Sequence, residues 1–289
     1  MKVPSNKISD IYSYYLNLMK KLYPESEAKL MLKRLMGYYL EVQDFKIPQL
    51  IENERVGESL LLKIHFGVKD LLSHKPLEYI IGLTDFYEMK FEVNKDVLIP
   101  RPETEELVDL IWKTSPSIRK SPSILDVGTG SGCIGIVLCK LLNARVTGID
   151  NSAKALTVAK RNALKNQTEI NFFQINFLVE NERNTLKETF DIIVSNPPYI
   201  RELEKGIMKS NVLNYEPSSA LFVPDNNPLI FYEQIAIFGK NNLNPRGCIY
   251  VEINEFLGAE TLALFRMHFE KVTLIQDLNG KDRFIWVQS

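Results

Sequence analysis

Ile124-Leu125-Asp126-Val127-Gly128-Thr129-Gly130-Ser131-Gly132 decides the fold of this 289-residue chain. An apolar strand runs into a glycine-rich turn, and the apolar stretch from Cys133 to Leu142 then reads as a helix. Glycines in such a turn keep the backbone tight and let a ligand approach the helix N-terminus. Gly130, Gly132 and Gly135 also satisfy GxGxxG, the dinucleotide fingerprint. The loop by itself therefore leaves two cofactors open, a dinucleotide and S-adenosyl-L-methionine. Asp126 leans toward the second, because a carboxylate there repels a pyrophosphate and attracts a cationic amino-acid end. Asp150, at the tip of the next strand, can accept both hydroxyls of the ribose that the two cofactors share.

Downstream, strand and helix patterns alternate. Ile124–Val127, Val146–Ile149, Ile170–Phe173, Ile192–Val194 and Ile249–Ile253 read as buried strands. Helical stretches at Cys133–Leu142, Ala153–Leu164, Leu229–Asn242 and Phe256–Phe269 sit between most of them. That order predicts a parallel sheet with helices on both faces. Val272–Ile275 and Phe284–Val287 flank Asn279-Gly280, the signal of an antiparallel pair.

Upstream, Ile8, Ile11, Tyr12, Tyr15, Met19 and Leu22 form one apolar helical stripe. Pro24 breaks it, and Ser26 can cap a second helix carrying Leu32, Leu35, Met36, Tyr39 and Leu40. Pro48 is expected to open a third helix, and Ser59–Phe66 forms the heart of a fourth. Phe86–Leu98 reads as a β-hairpin with Asn94 available for its turn. Ile99-Pro100-Arg101-Pro102-Glu103-Thr104-Glu105 then reads as a rigid extended loop, since two prolines fix two φ angles and remove two donors. The expected division is a mildly basic helical domain at 1–75, a linker with the hairpin at 76–112, and an α/β domain at 113–289.

Composition narrows the class. Hydrophobic residues at 45% and charged residues at 25% exclude a disordered or low-complexity chain. A net charge of −1 argues against a protein that wraps duplex nucleic acid, so no stable nucleic-acid partner is expected. Three cysteines with no CxxC give neither a disulfide framework nor a thiolate zinc site. No metal is expected, and His65, His74 and His268 lie outside every motif, which assigns them structural roles. The polar start and the lack of a long apolar run predict a cytoplasmic chain, or an organellar one whose presequence has been removed, with no membrane contact.

The strand Phe190–Ser195 ends in Asn196-Pro197-Pro198-Tyr199. Consecutive prolines leave carbonyls that are stiffly aimed and have no competing donors. The Asn196 side-chain carbonyl and the Pro197 carbonyl can each accept one N–H of an incoming NH₂ group. Tyr199 offers a flat face to a planar substrate. The result is a clamp for a planar group bearing an amide or amine nitrogen.

This tetrapeptide resembles the signature of S-adenosylmethionine methyltransferases that act on amines and amides. Pro76–Gly82, Phe91-Glu92-Val93, Val97–Val108, Asp126–Gly132, Asn162-Ala163, Tyr215-Glu216-Pro217 and Gly280-Lys281-Asp282-Arg283 are similar, in order and spacing, to the release factor glutamine methyltransferases (the PrmC/HemK family). A sister family that methylates a ribosomal-protein glutamine carries a different sequence after Ile-Pro-Arg, so Pro102-Glu103-Thr104-Glu105 favours the resemblance to the release factor enzymes.

The resemblance implies a seven-stranded, Rossmann-like class I methyltransferase sheet joined to an N-terminal helical bundle. It implies methyl transfer from S-adenosyl-L-methionine, leaving S-adenosyl-L-homocysteine, to the glutamine of the Gly-Gly-Gln loop of peptide chain release factors, by a monomer. Asp126, Gly128, Thr129, Gly130, Ser131 and Gly132 would serve the methionine end, Asp150 the ribose, Phe177 the adenine and Asn196 both ligands. Asn196, Pro197, Pro198 and Tyr199 would hold the glutamine, with Asn196, Pro197 and Tyr199 catalytic, and Arg101 and Glu103 would help build its pocket. Two positions depart from the family's pattern: Asn176 where Asp is common and Asn254 where Gly is common. The alternatives are methylation of a ribosomal-protein glutamine, of an exocyclic amine in nucleic acid, or a binding module that keeps the cofactor as a docking signal. The intact clamp argues against the last.

Overall fold

The computed structural model describes residues 5–43, 46–47, 54–115 and 121–289; the helix expected at Pro48 lies outside them. The chain divides into two compact units, Met1–Gly82 with Ser210–Tyr215, and Leu83–Lys209 with Glu216–Ser289.

In the first unit the helices Ile8–Met19, Glu25–Leu40 and Glu58–Leu72 bury a shared core. Ile8, Ile11, Tyr15 and Met19 face Leu32, Leu35, Met36, Ile64, Val68 and Leu71. Leu22 falls past the end of the first helix and is exposed, so the apolar stripe ends at Met19. Pro24 rather than Ser26 occupies the N-cap of the second helix, where its carbonyl accepts from Ala28 N at 2.9 Å. His65 is tied into this unit through a 2.9 Å hydrogen bond between its Nδ1 and Tyr15 Oη. In the same unit Tyr215 Oη donates to Ser73 O at 2.8 Å.

The second unit holds strands β1 (Leu83–Phe86), β2 (Met89–Glu92), β3 (Ser123–Val127), β4 (Arg145–Asp150), β5 (Ile170–Gln174), β6 (Phe190–Ser195), β7 (Ile200–Arg201), β8 (Phe222–Val223), β9 (Leu243–Glu252), β10 (Lys271–Gln276) and β11 (Asp282–Gln288). Seven of them form one sheet in the order β10-β11-β9-β6-β3-β4-β5. The strands from β9 to β5 run parallel, and β11 is antiparallel to both of its neighbours. This is the Rossmann-like α/β architecture that the strand–helix alternation predicts.

Strand periodicity sorts the core into two layers. Ile124 of β3 joins Leu107, Val108, Ile111, Ile134, Val137 and Leu138 on one side, from the helices Pro102–Thr114 and Cys133–Leu142. Leu125, its neighbour, joins Ile235, Ala236, Phe238 and Phe265 on the other, from Ile230–Asn242 and Gly258–Arg266. Each such side chain fully removed from water contributes about 1.5–3 kcal/mol, so both faces must be covered for the sheet to stand.

Three local expectations change. Ile170–Phe173 is an edge strand rather than a buried one: among the described residues β5 pairs only with β4, and Phe173 is 50% exposed. The hairpin turn sits at Tyr87-Glu88, both at positive φ (51° and 61°), whereas Asn94 closes a separate turn by accepting from Asp96 N at 2.9 Å. The extended loop ends at Arg101, because Pro102 takes the first helical position, where its missing N–H costs nothing. Among the described residues no helix is long and apolar enough to cross a membrane.

Candidate active site

Strand order reverses at β3, with β4 and β5 on one side and β6 and β9 on the other. The C-terminal ends of β3, β4 and β6 consequently open around one cavity, where ligands of such sheets bind. Gly128, Thr129, Gly130, Ser131, Asp150, Asn176, Phe177, Asn196, Pro197 and Pro198 all line it.

The glycine loop is fixed from β4. Gly128 N and Thr129 N both donate to Ile149 O at 2.9 Å, and Gly130 N donates to Asp150 Oδ2 at 2.9 Å. Gly128 and Gly130 sit at φ +72° and +56°, and a Cβ added at Gly128 would meet nothing within 4 Å. Main chain thus forms the cavity wall. Asp150 Oδ1 accepts from Ser152 N at 2.9 Å, and burial raises its carboxyl pKa above the usual range.

Asp126 does not line the cavity. It is fully buried behind the loop, where Oδ2 accepts from Thr129 Oγ1 at 2.6 Å and from Gly135 N at 3.1 Å. Its Oδ1 has no hydrogen-bond partner among the described residues, and burial pushes the carboxyl pKa up to about 6. An unmet carboxylate oxygen behind a loop of bare backbone suits a cationic amino-acid end. Ser131 is pinned by Asn162, a fully buried residue whose Nδ2 donates to Ser131 O at 2.8 Å. The same side chain pairs with the backbone of Glu92 at 2.6 and 3.0 Å, which ties β2 to the loop. Gly132 caps the following helix at φ +82° and is not part of the cavity wall.

Phe177 contributes only a sliver of surface, being 5% exposed, with its ring edge-on to Phe238 at 5.4 Å. Asn176 closes a turn with Oδ1 accepting from Leu178 N at 3.1 Å. Donors and acceptors, an apolar ring and a glycine cradle are present together, and S-adenosyl-L-methionine fits such a set.

At the clamp, Asn196 Nδ2 donates to Thr104 Oγ1 at 3.0 Å, and Thr104 Oγ1 donates to Glu252 Oε2 at 2.8 Å. Tyr199 Oη donates to the other oxygen of Glu252 at 3.1 Å. Tyr199 therefore lies behind the cavity, where burial raises its phenol pKa. Burial also pushes Glu252 up to about 7. Asn254 follows at the end of β9, and its Nδ2 donates to Tyr199 O at 3.0 Å and to Glu204 Oε2 at 3.1 Å. This departure from the family's pattern thus fastens the chain just after the clamp.

Arg101 and Glu103 do not reach the cavity wall. Arg101 Nη2 instead pairs with Glu216 Oε1 at 2.5 Å, and Glu216 also accepts from Ile99 N at 3.2 Å. Glu216 thereby holds Pro100 and Pro217, which do line the cavity. Sequence reasoning passed over Thr104, Glu252 and Asn162. The distances along the chain hid the first two, 92 residues from Thr104 to Asn196 and 148 to Glu252.

A family model described as the methyltransferase small domain matches residues 106–214. The chain is 49% identical over 231 residues to a release factor glutamine methyltransferase of Flavobacterium psychrophilum, covering 78% of this chain and 80% of that one. It is 38% identical over 284 residues to the protein of that name from Bacteroides thetaiotaomicron, covering 95% and 98%. Among solved structures, a methyltransferase from Pyrococcus furiosus shares the fold with a TM-score of 0.52 at 15% identity, over 80% of this chain and 98% of that one.

Proposed function

Because the chain belongs to the release factor glutamine methyltransferase family, we propose that it methylates the side-chain amide nitrogen of the glutamine in the Gly-Gly-Gln loop of peptide chain release factors. S-adenosyl-L-methionine supplies the electrophilic methyl when bound. Gly128, Thr129, Gly130 and Ser131 would hold its methionine end, with Asp126 behind them, while Asp150 takes the ribose and Phe177 borders the adenine.

A glutamine amide nitrogen is a weak nucleophile, because its lone pair is delocalised into the carbonyl. The residues of the chain can help by orientation and by stabilising charge as it develops on the NH₂ group. Asn196 Oδ1 and the Pro197 carbonyl would accept its two N–H bonds, which aims the lone pair and eases loss of one proton to solvent once the nitrogen is methylated. Held geometry of this kind can supply about 7–11 kcal/mol of the barrier in well-oriented cases. Pro197 and Pro198 keep the acceptors stiff. Tyr199 works from behind through Glu252, while Arg101, paired with Glu216, helps hold the Ile99–Arg101 segment beside the cavity.

The observation that carries this reading is the Asn196 amide at the cavity wall with its NH₂ end already taken by Thr104. The reading also includes a helical docking role for residues 1–75 and a catalytic role for 113–289, with Pro100 and Thr104 of the joining segment 76–112 contributing to the cavity wall. The cytoplasm, as the site of translation, is where such an enzyme would work.

The test is mass spectrometry of a purified release factor after incubation with the protein and S-adenosyl-L-methionine. One methyl on the glutamine of the Gly-Gly-Gln loop is the expected result. An unmodified loop, with cofactor binding demonstrated, would sink the proposal and turn attention to a ribosomal-protein glutamine.

A further inference from the structure

We propose that Thr104, held by Glu252, is a positioning residue that fixes the side-chain amide of Asn196 with its carbonyl oxygen toward the cavity. This rests on the glutamine reading above and concerns what makes the clamp an acceptor. An asparagine side chain has nearly the same shape either way round, so packing alone does not choose between its two ends. Flipped, it would present N–H donors to the N–H donors of the incoming amide. Something must choose.

The hydrogen-bond arithmetic makes the choice. A threonine hydroxyl has one proton to give. Both oxygens of Glu252 face donors, Thr104 Oγ1 at 2.8 Å and Tyr199 Oη at 3.1 Å, and an ionised carboxylate accepts both. With its proton committed there, Thr104 Oγ1 can only accept from Asn196. The amide must then offer Nδ2, as observed at 3.0 Å, and Oδ1 is left for the substrate. Thr104 and Glu252 are 2% and 1% exposed, so water does not compete for the bond between them. The three residues come from the first turn of the helix Pro102–Thr114 and from the ends of β9 and β6, all within one compact unit.

The experiment compares Thr104→Val, which keeps shape and loses the hydroxyl, with Thr104→Ser, which keeps the hydroxyl. Turnover is measured on a release factor with S-adenosyl-L-methionine, and affinity for S-adenosyl-L-homocysteine is measured separately by calorimetry. Thr104→Val is expected to lower kcat by roughly tenfold to a hundredfold, the scale of a misaligned reacting group. KM for the factor and affinity for S-adenosyl-L-homocysteine should stay near wild type, and Thr104→Ser should recover most of the lost kcat. Wild-type kcat in Thr104→Val overturns the inference, and so does a Thr104→Ser variant as impaired as Thr104→Val. Should Thr104→Val fail to fold, Glu252→Met takes its place. It removes both acceptor oxygens, which frees the Thr104 proton to turn toward Asn196, and an unchanged kcat there also overturns the inference. A wild-type protein that binds the cofactor but leaves the glutamine unmethylated would overturn the underlying reading instead.

Discussion

Asn196 meets two demands with one amide: its nitrogen satisfies Thr104 and its oxygen remains an acceptor. Asn196→Ala removes the acceptor without touching either core layer. Turnover should fall by about 10²–10³, the cost of losing one preorganised polar group, while the melting temperature stays within a few degrees. A variant with near-full turnover would refute the clamp. Glu252 adds a pH signature. Burial keeps its proton on in the folded protein up to about pH 7, whereas an unfolded glutamic acid releases it near 4.5. Between those values the folded state binds more protons, so stability falls as pH rises through the window. The linked change is on the order of 3 kcal/mol. Urea unfolding at several pH values should show a steeper fall in the wild type than in Glu252→Gln, whose remaining slope comes from the buried carboxyls of Asp126 and Asp150. Turnover should move the opposite way, rising through pH 7 as the carboxylate becomes able to accept from Thr104 and Tyr199 together.

The helix Cys133–Leu142 shows how closely an element is seated behind the site. A Cβ at Gly135 would lie 3.0 Å from Asp126 Oδ2 and 3.1 Å from Val146 Cγ1. Gly135→Ala should therefore cost about 1–3 kcal/mol, read as a lower urea midpoint, because both neighbours must give way in a packed interior. Elements of this kind were legible where the signal is local. The β3 strand and glycine loop, the tetrapeptide after β6 and the parallel order of the sheet all follow from contiguous runs of residues. The Tyr87-Glu88 turn was not legible, as neither residue favours positive φ. Contacts from a distant helix hold it, with Tyr87 N donating to Glu105 Oε1 at 2.6 Å and Tyr87 Oη to Asp109 Oδ1 at 2.8 Å. Pro102 was ambiguous for a physical reason: a proline suits an extended loop and a first helical turn equally well. Glu252 was invisible as a site residue, since nothing in Tyr250-Val251-Glu252-Ile253 separates a buried acceptor from an ordinary strand end.

For the whole molecule, a ligand that binds only the folded state raises its stability with the logarithm of its concentration over Kd. S-adenosyl-L-homocysteine at a hundred times its Kd should add about 2.7 kcal/mol. That should appear as a rise of a few degrees in a thermal melt, and a flat melt would count against the cavity as the cofactor site. Connectivity sets a further constraint. The segment Ser210–Tyr215 belongs to the first unit although the chain on both sides of it belongs to the second. The polypeptide therefore passes from one unit to the other at three points, not one. A truncation at Gly82 would leave Tyr215 without the Ser73 carbonyl it now donates to. The helical unit is thus no detachable cassette: gene fusion or exon exchange at a single breakpoint could not transplant it intact, and its recombination with other catalytic sheets would require two separate pieces of chain to travel together.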